Sequence, residues 1–289
     1  MTNQTSSLPS SMQDTICLVT GATAGIGEVT ALELARLGAT VVLVGRNAQK
    51  AAAIVEQIKQ QTGNPQVEFM LADLSLQKDV RRLAAQFQQK YDRLHVLVNN
   101  AGAIYISRQV TAEGFEMTWA LNHLAYFLLT NLLLDVMKAS APARIINVAS
   151  DVHTTGKITF DDLQGEKKFG GFGSYKQSKL ANVLFTYELA RRLEGTGVTV
   201  NALHPGVVAS SFGTNNGWIG RNVVRKAMNL FSISNEEGAR PTLYLATSPA
   251  VEGVTGQYFD KEKAVASSKA SYDTATAARL WQVSEGMTG

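Results

Sequence analysis

Tyr175 and Lys179 are the residues whose types and spacing point most directly to chemistry. They open an apolar pattern (Leu180, Val183, Leu184, Tyr187, Leu189, Ala190, Leu193) that reads as a helix with one buried face. Residues at i and i+4 are neighbours on a helix, so the phenol and the ammonium share one environment. A free phenol titrates near about 10 and is a poor acid or base at neutral pH. A fixed cation beside it favours the phenolate and lowers that value. The pair is therefore a candidate general acid–base couple. Alone it is a weak motif, because a packed tyrosine and a solvated lysine on any helix reproduce it. The rest of the chain has to supply a site.

Thr15 to Thr20 is a short apolar run of the kind that forms a buried parallel strand. Gly21-Ala22-Thr23-Ala24-Gly25-Ile26-Gly27 follows, then an apolar-periodic helix closed by Gly38, then a second strand from Val41 to Val44. Glycines in such a strand–turn–helix let backbone approach a pyrophosphate at the positive end of the helix. The alternation continues, with strands expected at 67–71, 94–98, 144–148, 198–203 and 256–259. Helices are expected at 48–61, 76–91, 111–138, from 174 onward, at 235–246 and at 271–283, and residues 151–173 read as a loop. This pattern implies an α/β fold: one domain, a doubly wound parallel sheet with helices on both faces, and a ligand at the carboxyl ends of the strands.

Those ends are polar or small: Gly21, Gly45-Arg46, Asp73, Asn99-Asn100, Ser150 and Pro205-Gly206. The second strand carries information about the cofactor. Folds that prefer NAD usually place a carboxylate there for the ribose 2′-hydroxyl. Here Gly45 and Arg46 take its place. A guanidinium attracts a 2′-phosphate and can bond it twice, which selects NADP(H).

The 289 residues are 45% hydrophobic, enough for a sizeable core. The net charge of +3 is spread among interleaved acidic and basic residues and gives no reason to expect nucleic-acid binding. Cys17, the one cysteine, sits in an apolar run and reads as a small buried hydrophobe. No His/Cys/Asp/Glu spacing suggests a metal. Residues 1–13 read as a disordered lead-in without the features of a signal peptide, and 14–289 as the single domain. The stretch from Ala120 to Met137 is broken by Asn122, His123, Thr130, Asn131 and Asp135 and reads as too polar for a membrane span, so a cytoplasmic protein is expected. His95, His123 and His204 read as structural, while His153, three residues past Ser150, is a candidate for the pocket wall.

Taken as a set, Thr20-Gly21, Gly25, Gly27, Asp73, Asn99-Asn100-Ala101-Gly102, Asn122, Ser150, Tyr175, Lys179 and Pro205-Gly206 resemble the short-chain dehydrogenase/reductases over residues 14–260. Leu121 to Thr130, Asp161 to Glu166 and Tyr175 to Asn182 are similar to the retinol dehydrogenase-like subgroup, whose members reduce retinal and other lipophilic carbonyls with NADPH. The resemblance implies a Rossmann fold and a catalytic set of Asn122, Ser150, Tyr175 and Lys179. Tyr175 would move the proton, Lys179 would lower its pKa and hold the nicotinamide ribose, and Ser150 would donate to the carbonyl oxygen. Asn122 would hold, through its backbone carbonyl, a water that relays protons to Lys179. It implies cofactor contacts at Gly21, Thr23, Gly25, Ile26, Gly27, Arg46, Asp73, Leu74, Asn99, Ala101, Gly102, Tyr175, Lys179, Pro205 and Gly206, with Asp73 and Asn99 on the adenosine half. Homo-oligomers built on the two long helices are a further expectation of the resemblance.

Residues 207–234 are the expected substrate lid, and the amphipathic part from 213 fits a lid, a peripheral membrane contact or core packing. The rival readings are a protochlorophyllide-type double-bond reductase, which by resemblance needs a pocket cysteine, and a non-catalytic cofactor-binding regulator.

Overall fold

The computed structural model describes residues 11–206 and 233–289. The lead-in at 1–10 and nearly all of the expected lid therefore lie outside the described residues. Met12 is buried and its N–H donates to the Leu37 carbonyl, so packing begins ahead of Asp14.

Each βα unit starts from an apolar strand that both faces of the sheet can cover. β1 (Ile16–Thr20) is followed by α1 (Gly25–Arg36), β2 (Thr40–Gly45) and α2 (Ala48–Thr62). β3 (Val67–Leu71), α3 (Gln77–Lys90), β4 (Val96–Asn99) and the long helix α4 (Met117–Ala139) come next. β5 (Ala143–Val148), α5 (Gly171–Arg192), β6 (Val198–His204) and α6 (Asn235–Thr247) complete the alternation. β7 (Tyr258–Asp260), β8 (Lys263–Val265) and α7 (Thr274–Thr288) end the chain.

The sheet has eight strands in the order β3-β2-β1-β4-β5-β6-β7-β8. All pairs are parallel except β7 with β8, a short antiparallel edge hairpin that sequence reading missed. All three residues of β8 are exposed, so it carries no buried apolar pattern to read. The order reverses between β1 and β4, which is where an open α/β sheet opens a crevice. Alternate residues of β1 feed opposite cores: Leu18 packs with α3, α4 and α5, while Cys17 and Val19 pack with α1, α2 and α6.

Two departures from expectation matter for the site. The long helix starts at Met117 rather than Thr111, capped by the Glu116 carboxylate, and its residues Ala120–Leu124 form a π turn. The loop after β5 contains a 3-10 turn at Asp151–Thr155, and α5 begins at Gly171.

The C-terminal helix α7 lies across α4 and α5. Trp281 meets Phe127 edge-on at 4.9 Å and stacks on Phe185 at 5.8 Å between centroids, with the Arg192 guanidinium 4.0 Å over its ring. Leu280 and Ala277 fill the neighbouring cluster with Leu184 and Trp119. Removing so large a buried ring leaves a cavity that its rigid neighbours cannot close. Trp281→Ala is expected to cost about 3–5 kcal/mol, seen as a lower urea midpoint with unchanged slope.

Candidate active site

The chemistry gathers at the carboxyl edge, where β1, β4, β5 and β6 end beside α4 and α5. Tyr175 is on the first turns of α5 and is 8% exposed. Its hydroxyl hydrogen-bonds the Ser150 hydroxyl at the end of β5. Lys179, one turn further along α5, is 3% exposed and donates from Nζ to the Val148 carbonyl at 2.8 Å. Nζ lies 5.7 Å from the Tyr175 ring centroid and 5.9 Å from that of Tyr126.

Asn122 sits in the π turn of α4 and is fully buried. Its side chain bonds both polar groups of Ala103: Oδ1 accepts from the amide and Nδ2 donates to the carbonyl, each at 2.9 Å. Nδ2 also donates to Ser178 Oγ at 3.0 Å, and Ser178 Oγ donates to the Tyr175 carbonyl at 2.8 Å. Asn122 thus fastens the β4 loop and the tyrosine helix together. Its own backbone carbonyl accepts from Asn182 Nδ2 at 2.9 Å.

Burial sets the proton affinities. It raises the Tyr175 phenol, against which the bond to Ser150 lowers it. Burial pushes Lys179 down to about 7. Burial is the larger influence on the Tyr175 phenol, and the Lys179 ammonium is turned to the Val148 carbonyl.

Would these residues fit a dinucleotide? Gly21 and Gly25 have φ of +65° and +60°, a conformation that glycine adopts without strain. A Cβ on Gly27 would stand 2.4 Å from the Gly21 carbonyl oxygen, so only glycine allows this turn. Ala24 supplies no side-chain cap to α1, so no side chain of its own covers the first N–H groups of that helix. The turn is sewn to β4: Thr20 Oγ1 accepts from the amides of Asn100 and Ala101 at 2.8 and 3.1 Å, and Asn100 Nδ2 donates to the Thr20 carbonyl at 2.9 Å. A Cβ on Gly45 would lie 2.6 Å from Thr23 Cγ2, so the position that would carry an acidic residue has no room for one. Arg46 is exposed, and its guanidinium hydrogen-bonds the Tyr105 phenol, whose pKa burial raises, Arg46 lowers and Asp73 raises. These features fit the group.

The remaining expected contacts divide. Thr23, Leu74, Ala101, Gly102, Pro205 and Gly206 lie on the strand-end turns of this edge, and Ile26 on the first turn of α1. A Cβ on Gly102 would be 3.3 Å from Asn122 Oδ1 and 3.6 Å from Lys179 Nζ. Asp73 Oδ1 is engaged by the amide and hydroxyl of Ser75. Asn99 does not reach the crevice with its side chain. It is fully buried, and Nδ2 donates to Thr130 and Asn147 at 2.9 Å each. His153 is turned into the fold: it is 1% exposed, with both ring nitrogens bonded to backbone. Tyr105 and Tyr126 were missed from sequence. Tyr126 stands four residues past Asn122, hence on the same helix face, and that spacing could have found it.

The family model for short chain dehydrogenases matches residues 15–217. The chain belongs to the short-chain dehydrogenase family. Human retinol dehydrogenase 13 is 44% identical over 277 residues, covering 94% of this chain and 84% of that protein. Mouse retinol dehydrogenase 12 is 42% identical, covering 95% of this chain and 86% of that protein. Among solved structures, an uncharacterized protein of Mycobacterium paratuberculosis superposes with a TM-score of 0.78 at 33% identity, covering 97% of this chain and 95% of that one. The Pseudomonas aeruginosa RhlG/NADP active-site complex superposes at 0.70 and 27% identity, covering 86% and 95%.

These relatives overturn the expectation of a cytoplasmic protein. They are named for retinol, an alcohol that partitions into lipid. The helix Met117–Ala139, whose stretch from Ala120 to Met137 reads as too polar in sequence, is long and apolar enough to cross a membrane by length and composition only. The interrupting Asn122, His123 and Thr130 are outweighed by the leucines around them, and most of the helix is buried in the fold.

The depressed Lys179 pKa has a thermodynamic signature. Below pH 7 the lysine is charged in both folded and unfolded chains, and burial of that charge weighs fully on stability. From pH 7 up to the ordinary lysine value of 10.5 the unfolded chain holds the proton and the folded one releases it, so stability rises with pH. Lys179→Met is expected to remove a slope of up to about 1.4 kcal/mol per pH unit across that window, read from urea titrations without added nucleotide.

Proposed function

We propose that this chain is an NADP(H)-dependent oxidoreductase acting on a lipophilic carbonyl or its alcohol, a retinal-like aldehyde or ketone. The observation that carries the reading is the hydroxyl pair of Ser150 and Tyr175 beside a nearly dry Lys179 at the carboxyl edge of the sheet. Bound NADPH would supply the hydride. Tyr175, kept protonated by burial, would give its proton to the carbonyl oxygen. Ser150 would donate to the same oxygen and stabilise charge as it builds. Lys179 would hold ribose hydroxyls and recharge the phenol, and the π turn at Asn122 would present a carbonyl to a relaying water.

Arg46 and the closed Gly45 position support the choice of NADP(H), as does the RhlG/NADP complex among the neighbours. Two large apolar side chains left exposed around the start of α5, the helix that carries Tyr175, support a lipophilic substrate. Phe172 is 55% exposed, with its ring 6.5 Å from that of Tyr175. Ile106 is 48% exposed, and its Cα would lie 2.6 Å from a Cβ on Gly171. The retinol dehydrogenase names of the relatives point the same way. Double-bond reduction through a pocket cysteine has no support, because Cys17 is wholly buried inside β1.

Purified protein given NADPH and a panel of aldehydes, ketones and retinal is expected to turn over at least one carbonyl. Tyr175→Phe should lower kcat by about 10²–10⁴-fold while nucleotide still binds. Nucleotide binding with no turnover on any carbonyl would end the reductase reading. Arg46→Ala is expected to raise KM for NADPH about 10–100-fold and leave NADH nearly unchanged. Equal efficiency of the two nucleotides with the unaltered protein would remove the case for NADP(H).

A further inference from the structure

The turn that carries Ser150 is gripped by two imidazoles. The peptide group joining Ser150 to Asp151 has one carbonyl and one N–H, and each meets a histidine. The Ser150 carbonyl accepts from His153 Nδ1 at 2.7 Å. The Asp151 N–H donates to His204 Nδ1 at 3.1 Å. His153 belongs to the 3-10 turn after Ser150, and His204 closes β6, the next strand of the sheet. The far nitrogen of His153, Nε2, accepts from the Ser268 amide at 3.2 Å, and its ring lies 4.6 Å from that of Tyr258 on β7.

The partners dictate the tautomers. A carbonyl only accepts, so His153 carries its proton on Nδ1, and an amide N–H only donates, so its Nε2 is bare. His204 must have a bare Nδ1, which in the neutral ring puts the proton on Nε2. Burial lowers the pKa of both rings; for His204 the carboxylates of Asp151 and Asp260 oppose it. Two neutral histidines of opposite tautomer thus fix a single peptide plane at both of its polar atoms. Fixing that plane fixes the position of the Ser150 Cα, and the extended backbone of Ser150, φ −169° and ψ 155°, then sets the direction of its Cα–Cβ bond.

We infer that His153 and His204 are positioning residues for the reaction, acting through the Ser150–Asp151 peptide to aim the Ser150 hydroxyl at the oxygen that Tyr175 protonates. The inference rests on the catalytic reading of Ser150 given above. A merely structural pair would hold the turn together but would cost the same whether or not the serine hydroxyl is there.

The first test does not involve turnover. Four histidines are present, so ¹⁵N-histidine NMR of the full chain with single-site variants assigns each ring. The expected spectrum shows His153 as the Nδ1–H and His204 as the Nε2–H tautomer at neutral pH; the reverse assignment, or charged rings, would overturn the inference. The second test uses NADPH and the best carbonyl of the panel. His204→Leu and His153→Leu should each lower kcat about tenfold or more, with KM for NADPH unchanged. His204→Asn, whose Oδ1 takes the place of Nδ1, should recover kcat to within about threefold of the unaltered protein. In a Ser150→Ala background, His204→Leu should cost less than about twofold more. A full additional loss there, or no rescue by asparagine, would refute it. If Ser150→Ala itself leaves turnover intact, the functional reading fails and takes this inference with it. If Ser150→Ala abolishes turnover while the leucine variants keep full kcat, only this inference fails.

Discussion

A cation almost out of reach of water is the constraint on which the site depends. Lys179 has no carboxylate within ion-pair distance among the described residues, and its ammonium is offered one strand-end carbonyl and the faces of two tyrosine rings. A charge so placed is costly to keep, and the drop in its pKa shows how strongly the surroundings favour the neutral amine. The fold bears this because the lysine sits on a helix buried along most of its length, wedged between β5 and α4. A hydroxyl-bearing or anionic group brought near Nζ would relieve the strain.

The surrounding polar groups are arranged to keep that lysine in register. Asn122 ties the β4 loop to α5, and Asn182 in turn ties α5 to the Asn122 carbonyl. Beyond Asn182 the chain of contacts runs through His123, whose Nε2 lies 2.9 Å from Ser284 Oγ on α7. The π turn widens α4 at the point where this network needs a backbone carbonyl, a common use of that irregularity. None of these groups is exposed, so each must be satisfied by another, which holds the geometry narrow.

Much of this was legible in the sequence, and the reasons are local. The period of the apolar residues gave the order of strands and helices, and the glycines of the first turn and the Tyr175–Lys179 spacing carried their meaning within a few residues. What was not legible depends on who packs against whom. Asn99 reads like a ligand contact because it ends a strand, yet Thr130 and Asn147, far away in sequence, draw its side chain inward. His153 reads like a pocket residue because it follows Ser150, yet Ser268 claims its second nitrogen. The proton affinity of the phenol beside Lys179 depends on how deeply the pair is buried, which a four-residue spacing does not show. The helix around Asn122 and His123 passes a length-and-composition test for a membrane span, yet most of it is buried in the fold, and sequence alone does not show that cover.

The position of α7 has a further consequence. Family resemblance suggests pairing of subunits across the two long helices, but in this chain Trp281, Leu280 and Ala277 already cover the face of α5 that α7 lies on. The chain supplies its own apolar cover there, and Ser284 brings the end of the polar network with it. Among the described residues, the hydrogen bonds around Asn122 and Lys179 link α4, α5 and α7 to one another.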